Sequence, residues 1–239
     1  MRAFVAGATG LTGRHAVEVL AKGGHEVIAH VRPDSPRLAE WSERFASLGA
    51  RVSSTPWEAS AIASTIAKEG PGLVLGVLGT TRARAKRVEA AGGDPSRESY
   101  DAVDVALTEM LIAACAAIEP RPRFVYLSST GTTEGTSNAY LAARARVEAT
   151  LKKSGVPYTI ARPSFIAGER DEPRGMEKVA VKLADAGLGL LGALGGRGLR
   201  DRYASMTGEE LARALVTLGL DPAWTDRIAE TEDLRRALR

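Results

Sequence analysis

Residues 7–13 read Gly-Ala-Thr-Gly-Leu-Thr-Gly: three glycines at intervals of three, with two hydroxyls between them. The residues before the run, Ala3-Phe4-Val5-Ala6, are apolar. After it, Ala16, Val17, Leu20 and Ala21 recur at helical spacing. A short buried strand therefore turns into a helix at the glycines. Gly7 suits the tight turn out of the strand, Gly10 lets a phosphate approach the backbone without meeting a Cβ, and Gly13 lets the helix press against the sheet. The amides at the helix start lie at the positive end of its dipole and point at the ligand, Leu11 in the same turn is a further candidate contact, and the hydroxyls of Thr9 and Thr12 are further donors.

Working outward, apolar runs recur at 3–7, 26–31, 51–54, 73–79, 123–129 and 158–163. Helical patterns lie between and after them, most clearly at 14–22, 99–118, 139–153 and 208–219. The best runs are continuous rather than alternating, as in strands covered on both faces. This rhythm predicts right-handed βαβ crossovers and an α/β fold with a doubly wound parallel sheet of Rossmann type. In that setting the glycine turn is read as a dinucleotide pyrophosphate site, the alternative being a turn needed only for packing. The chain reads as a single NAD(P)-binding domain, with a core over 1–167 and a small C-terminal cap with closing helices over 168–239. Residues 168–207 are rich in Gly and Arg, lack strand periodicity, and are expected to form an irregular substrate cap over the C-terminal sheet edge. Residues 91–98 read as a polar loop.

Composition excludes several classes. Of the 239 residues, 44% are hydrophobic and 26% charged, an ordinary globular balance. A net charge of +3 is too small to argue for nucleic acid. Cys115 is the single cysteine, so no intramolecular disulfide or cysteine-cluster metal site can form. His15, His25 and His30 have no partner at metal spacing, and no metal is expected. The glycine-broken run at 187–199 is a poor membrane span. The first strand begins almost at Met1, which leaves no room for a signal peptide, and the expected location is cytoplasmic. A monomer or homodimer acting on a small molecule is expected. Arg82, Arg84, Lys86 and Arg87 read as a solvated loop beside the cofactor pocket. Trp57 follows the third strand and reads as packing, with adenine stacking as the alternative.

The end of the second strand bears on which dinucleotide binds. An NAD-preferring site usually has Asp or Glu there, to bond the ribose 2′-hydroxyl. This chain reads His30-Val-Arg32-Pro-Asp34-Ser35, and a guanidinium suits a 2′-phosphate. NADP(H) is therefore expected as cofactor, with NAD less favoured. Ser35 and Arg37 are candidate assistants.

At this point the residues resemble a known family. The glycine turn, Leu78-Gly79-Thr80-Thr-Arg-Ala-Arg-Ala-Lys86, Tyr126-Leu-Ser-Ser-Thr-Gly131, Tyr140-Leu-Ala-Ala-Arg144 and Arg162-Pro-Ser-Phe-Ile166 occur in the order of the short-chain dehydrogenase/reductases. The likeness is to the atypical branch, above all to the Tat-interacting-protein-like reductases and more distantly to NmrA-like proteins. It implies a strand order of 3-2-1-4-5-6 and allows a seventh strand near Arg227–Glu230. It implies that Leu78, Gly79 and Thr80 line the ribose and nicotinamide side, and that Pro163, Ser164 and Phe165 close on the carboxamide. It places Ser128 and Ser129 at the catalytic edge, with Ser129 the better candidate for orienting a carbonyl and Ser128 or Thr130 the fallback. Tyr140 matches the family's catalytic tyrosine. Two positions depart from the pattern. Arg144 stands where lysine is usual, one helical turn from Tyr140, and Asp104 stands where many relatives carry asparagine. Arginine keeps the positive charge but releases no proton at useful pH. Asp104 either pairs with Arg144 or sits in water. The implied chemistry is hydride transfer to a small carbonyl, enone or quinone-like substrate. An alternative is a redox-sensing regulator that binds NADP(H) with little or no catalysis. A sugar-nucleotide epimerase is a third reading, which needs a larger C-terminal domain.

Overall fold

The structure, a computed structural model, describes residues 1–167 and 205–239. The expected cap over 168–207 lies outside the described residues except at its last positions.

The first strand, β1 (Arg2–Ala6), leads through the glycine turn into α1 (Leu11–Lys22), three residues earlier than the apolar spacing indicates. Then follow β2 (Glu26–His30), α2 (Leu38–Ser47), β3 (Arg51–Ser53), α3 (Ala59–Glu69), β4 (Leu73–Gly76) and α4 (Arg82–Ala90). A 3-10 turn at Pro95–Glu98 and a π-helical stretch at Tyr100–Ala106 precede α5 (Leu107–Ala116). The second half holds β5 (Arg123–Leu127), α6 (Ala139–Lys153), β6 (Tyr158–Arg162), β7 (Ile166–Ala167), β8 (Met206–Thr207), α7 (Gly208–Leu220), β9 (Arg227–Glu230) and α8 (Thr231–Arg236). Seven strands form one sheet in the order β3-β2-β1-β4-β5-β6-β9. All its pairings are parallel, and β9 is the seventh strand.

Continuous apolar strands bury both faces. Ala3, Val5, Val27, Ala29, Leu75 and Val125 point to a layer with Val17, Leu20, Trp41, Phe45 and Leu215. Their neighbours Phe4, Ile28, Val74, Phe124, Tyr126 and Ile160 point to the opposite layer, with Ile62, Ile66, Leu111, Val147 and Leu151. Each such side chain withdrawn from water contributes roughly 1.5–3 kcal/mol, before chain entropy is set against it. Cys115 belongs to the second layer, where burial pushes its thiol up to about 12, so it stays neutral and serves packing. Helix α7 begins with a capping box between Thr207 and Glu210. It lies close to α1 because position 208 is glycine: a Cβ there would stand 2.8 Å from Leu11 Cγ.

Two sequence expectations are corrected here. The basic run from Arg82 to Arg87 is not a loop but part of α4, whose N-terminus is capped by the Thr81 hydroxyl accepting from the Arg84 amide at 3.1 Å. The helix expected across 99–118 opens as the π-helical stretch, capped by Ser99, and becomes α-helical only from Leu107. Here Asp104 is bonded to a group outside the helix, and insertions of this kind are frequent at functional sites.

Candidate cofactor and catalytic site

The exits of β1, β2, β4, β5 and β6 share the C-terminal edge of the sheet, where open α/β folds bind ligands. At the β1 exit, Gly7 takes φ +86°, and the Gly10 amide donates to the Gly7 carbonyl at 3.0 Å. A Cβ on Gly7 would lie 2.6 Å from the Val77 carbonyl oxygen, and one on Gly13 only 2.1 Å from the Gly7 carbonyl oxygen. So Gly13 brings α1 against the turn itself. Gly10 caps the helix without a side-chain bond, and the first turn has no acid. The amides of Leu11, Thr12 and Gly13 therefore have no intrahelical acceptor and suit an anion. A pyrophosphate fits this cradle, and with it a nicotinamide dinucleotide. Thr9 is half-buried beside it, and Thr12 is buried.

On one flank, Arg32 follows β2 with its side chain 40% exposed, 3.7 Å from both Asp34 and Glu98. Arg37 is drawn into α2, paired with Glu40 and stacked on Trp41 at 5.0 Å. Trp57 is half-buried with its ring 4.7 Å from His30. On the other flank, Leu78 and Thr80 are buried and Gly79 is exposed.

Helix α6 begins at the Asn138 cap, whose side chain accepts from the Tyr140 and Leu141 amides. Tyr140, Arg144 and Glu148 then share one face at intervals of four. Arg144 is buried and ion-paired to Asp104 at 2.7 Å. It also donates to the Leu127 carbonyl at 2.8 Å and the Tyr126 hydroxyl at 3.2 Å, and lies within 3.4 Å of the Leu78 carbonyl. Its guanidinium carbon is 5.0 Å from the centre of the Tyr140 ring. Burial works against the Arg144 charge, but Tyr126, Tyr140 and Asp104 more than offset it, and the group stays protonated. Asp104, fully buried, accepts from the Thr80 amide at 3.0 Å. Burial pushes its carboxyl upward, against the pull of Arg144 and of that amide. Of the two alternatives for Asp104, pairing is the one found.

Arg144 thus stands beside Tyr140, one helical turn on, with its positive charge kept. Its donors run inward to the strand ends, so it positions the edge. It also reaches the open face at Gly79, where a Cβ would be 3.1 Å from Nη2. Ser128 is likewise not offered to a ligand: it is buried, and its hydroxyl donates to Glu148 at 2.6 Å. Ser129 is half-exposed, and its hydroxyl donates to the Thr130 carbonyl at 3.3 Å, a longer bond than that of Ser128 to Glu148. Its loop folds back toward α6, with Gly131 at φ +78° beside Leu141. The Thr130 amide donates to the Pro163 carbonyl at 2.9 Å, tying the exits of β5 and β6. Past Pro163, Ser164 is half-buried and Phe165 is 57% exposed at the same edge. Glu148, which sequence reasoning missed, also receives Arg162 at 2.9 and 2.6 Å. Its spacing from Tyr140 and Arg144 was the signal that could have found it.

The model of a family described as NAD(P)H-binding matches residues 7–187. A relative from Aspergillus niger, named protein fmp52, mitochondrial, is 30% identical over 220 residues, covering 90% of this chain and 85% of its own. Among solved structures, the oxidoreductase ylbE of Lactococcus lactis superposes with a TM-score of 0.65 at 15% identity, covering 100% of this chain and 95% of its own. UDP-glucuronic acid 4-epimerase of Bacillus cereus, solved with UDP-glucuronic acid and NAD, gives 0.64 at 15% identity over 95% and 76%. The expected cytoplasmic location does not stand, because the Aspergillus relatives are named mitochondrial. The physical reason is that a compartment is set by address signals read by receptors, which fold class, composition and a lone cysteine do not report. The glycine cradle, the strand order and the family match agree: the chain belongs to the NAD(P)H-binding family, and its fold is the Rossmann-type fold shared with the oxidoreductase and epimerase structures.

Proposed function

We propose that the protein is an NADPH-dependent reductase of a small carbonyl, enone or quinone-like substrate. One observation carries the reading: Tyr140 stands on the same sheet edge as the glycine cradle, with the Arg144 cation 5.0 Å from its ring. Bound NAD(P)H supplies a hydride. The amides of Leu11 to Gly13 would hold its pyrophosphate, and Gly79, Thr80 and Pro163 to Phe165 would line the remainder of its site. Negative charge then grows on the substrate oxygen. The hydroxyls of Ser129 and Tyr140 meet that charge, and Tyr140 donates the proton. Arg144 keeps positive charge beside Tyr140 but relays no proton, since a guanidinium does not deprotonate in proteins. Arg32 supports NADP over NAD, because its neighbouring acids stand off at 3.7 Å and its side chain is open to a 2′-phosphate.

NADPH oxidation with a panel of quinones and aldehydes tests the chemistry. Tyr140→Phe is expected to lower turnover by about 100-fold or more while leaving the NADPH dissociation constant nearly unchanged. A mutant that keeps its turnover removes Tyr140 from the reaction. Arg32→Ala is expected to weaken NADPH by about tenfold and NADH far less. Equal losses rule out the NADP preference. A second reading, an NADP(H)-binding regulator with little chemistry, is favoured by one feature: the guanidinium in the usual lysine position faces inward. Tight NADPH binding with no turnover across the panel selects it.

A further inference from the structure

We propose that Glu98 is a positioning residue for dinucleotide choice. From the segment between β4 and α5, it joins the exits of β2 and β4 across the glycine cradle and holds Arg32 and Arg84 ready for the phosphate on an adenosine ribose. The inference rests on the NADP reading above and deepens it.

Glu98 is only 8% exposed, and a carboxylate so placed needs partners. The Thr80 hydroxyl donates to Oε2 at 3.1 Å, Arg84 Nε lies 2.7 Å from the same oxygen, and Arg32 Nη1 lies 3.7 Å from Oε1. Arg32 leaves β2 and Thr80 leaves β4, while β1 lies between those strands. A single carboxylate thus spans the two exits that flank the pyrophosphate turn.

The two arginines are held differently. Arg84 is in close contact with Glu98. Arg32 is drawn toward Glu98 and Asp34, but at 3.7 Å both are beyond hydrogen-bond length, so these pairs leave its N–H groups open. The Arg32 and Arg84 side chains are 40% and 38% exposed, so both cations reach water. A phosphate accepts several guanidinium N–H groups at once. Arginines already gathered lose less side-chain freedom when it arrives. The Glu98 charge opposes a phosphate. However, Oε2 already accepts from Thr80 and is ion-paired to Arg84, and Glu98 is buried while the two cations it holds are part-exposed. A ribose 2′-hydroxyl, lacking charge, gains little from the same pair.

Calorimetry on the full chain tests this with adenosine 2′,5′-bisphosphate and 5′-ADP as probes. Glu98→Gln preserves shape and releases the hold on the cations. It is expected to weaken the 2′,5′-bisphosphate by about tenfold and 5′-ADP by less than about twofold. Arg84→Gln, at a part-exposed position, is expected to reproduce that loss and decides the matter if Glu98→Gln does not fold. A folded Glu98→Gln that binds the 2′,5′-bisphosphate unchanged or tighter overturns the proposal, as does an unaltered Arg84→Gln. If the parent itself does not distinguish the probes and Arg32→Ala changes nothing, the NADP reading fails. If the parent distinguishes them and both Glu98→Gln and Arg84→Gln still do, only the role of Glu98 fails.

Discussion

Two neighbouring stretches of the sheet edge are built on opposite principles. At the β1 exit the site is backbone: a left-handed Gly7, a Gly10 amide folded onto the Gly7 carbonyl, and a helix end whose amides have no internal acceptor. At the β4 and β5 exits it is side chain: Arg144 and Asp104, both buried, join Leu78, Thr80, Tyr126 and Leu127. The first stretch works because atoms are missing, so adding one disrupts it. The second works because charges are paired, so removing one leaves a buried charge without compensation. A cradle of amides binds any pyrophosphate, whereas a network of paired charges holds one arrangement of the groups around it.

The sharpest break is at Gly13. Gly13→Val places carbon where the Gly7 carbonyl oxygen already stands, 2.1 Å from the ideal Cβ. Overpacking of this kind typically costs about 1–3 kcal/mol, and here the clash is with backbone that cannot rotate away. Saturable NAD(P)H binding should disappear and the thermal midpoint should fall; a variant that binds normally would mean the cradle is not the site. Next comes Asp104→Ala, which strands Arg144 and should destabilise by about 3–5 kcal/mol in chemical denaturation. A loss below about 1 kcal/mol would show that the pair contributes little net. Replacing both partners with apolar residues should recover much of the loss, because the unpaired charge goes too. Ser129→Ala should lower turnover by about tenfold or more without weakening NADPH, and unchanged turnover would remove its hydroxyl from the reaction. The smallest effect is one of pH. His30 is buried and donates from Nε2 to the Thr55 carbonyl at 2.8 Å. Burial lowers its pKa, the Thr55 carbonyl opposes that shift, and Arg32 adds to it. The unfolded chain takes up this proton near pH 6.5 while the folded chain still excludes it. Stability should therefore be full above that value and decline as pH falls toward the folded value. Denaturant midpoints at pH 7.5 and 5.5 should differ more for the parent than for His30→Gln.

Legibility in the sequence follows the same division. The glycine turn and the apolar runs that become strands were readable, since apolar continuity and glycine spacing are local properties, whereas the strand order and the seventh strand at Arg227–Glu230 came with the family resemblance. Tyr140 and Arg144 were readable as neighbours, because four residues make about one helical turn. That Arg144 faces Asp104, forty residues earlier, was open as an alternative only. Ser128 and Ser129 are adjacent and chemically identical, yet one is bonded beneath α6 and the other stays half-exposed. Nothing in the pair itself distinguishes them. Glu98 sits in a polar run, Asp94-Pro-Ser-Arg-Glu98, that reads as surface, and its burial depends on partners fourteen, eighteen and sixty-six positions away.

Chain-local chemistry was thus enough to specify a parallel α/β sheet with an anion-binding turn at its first crossover, because hydrophobic period and the absence of a Cβ act over a few bonds. The direction of each charged side chain, the burial of Ser128 against Glu148 and the bridge from β2 to β4 emerged only on folding. Those outcomes are settled by the cost of burying charge without a partner, and the partners come from distant parts of the chain.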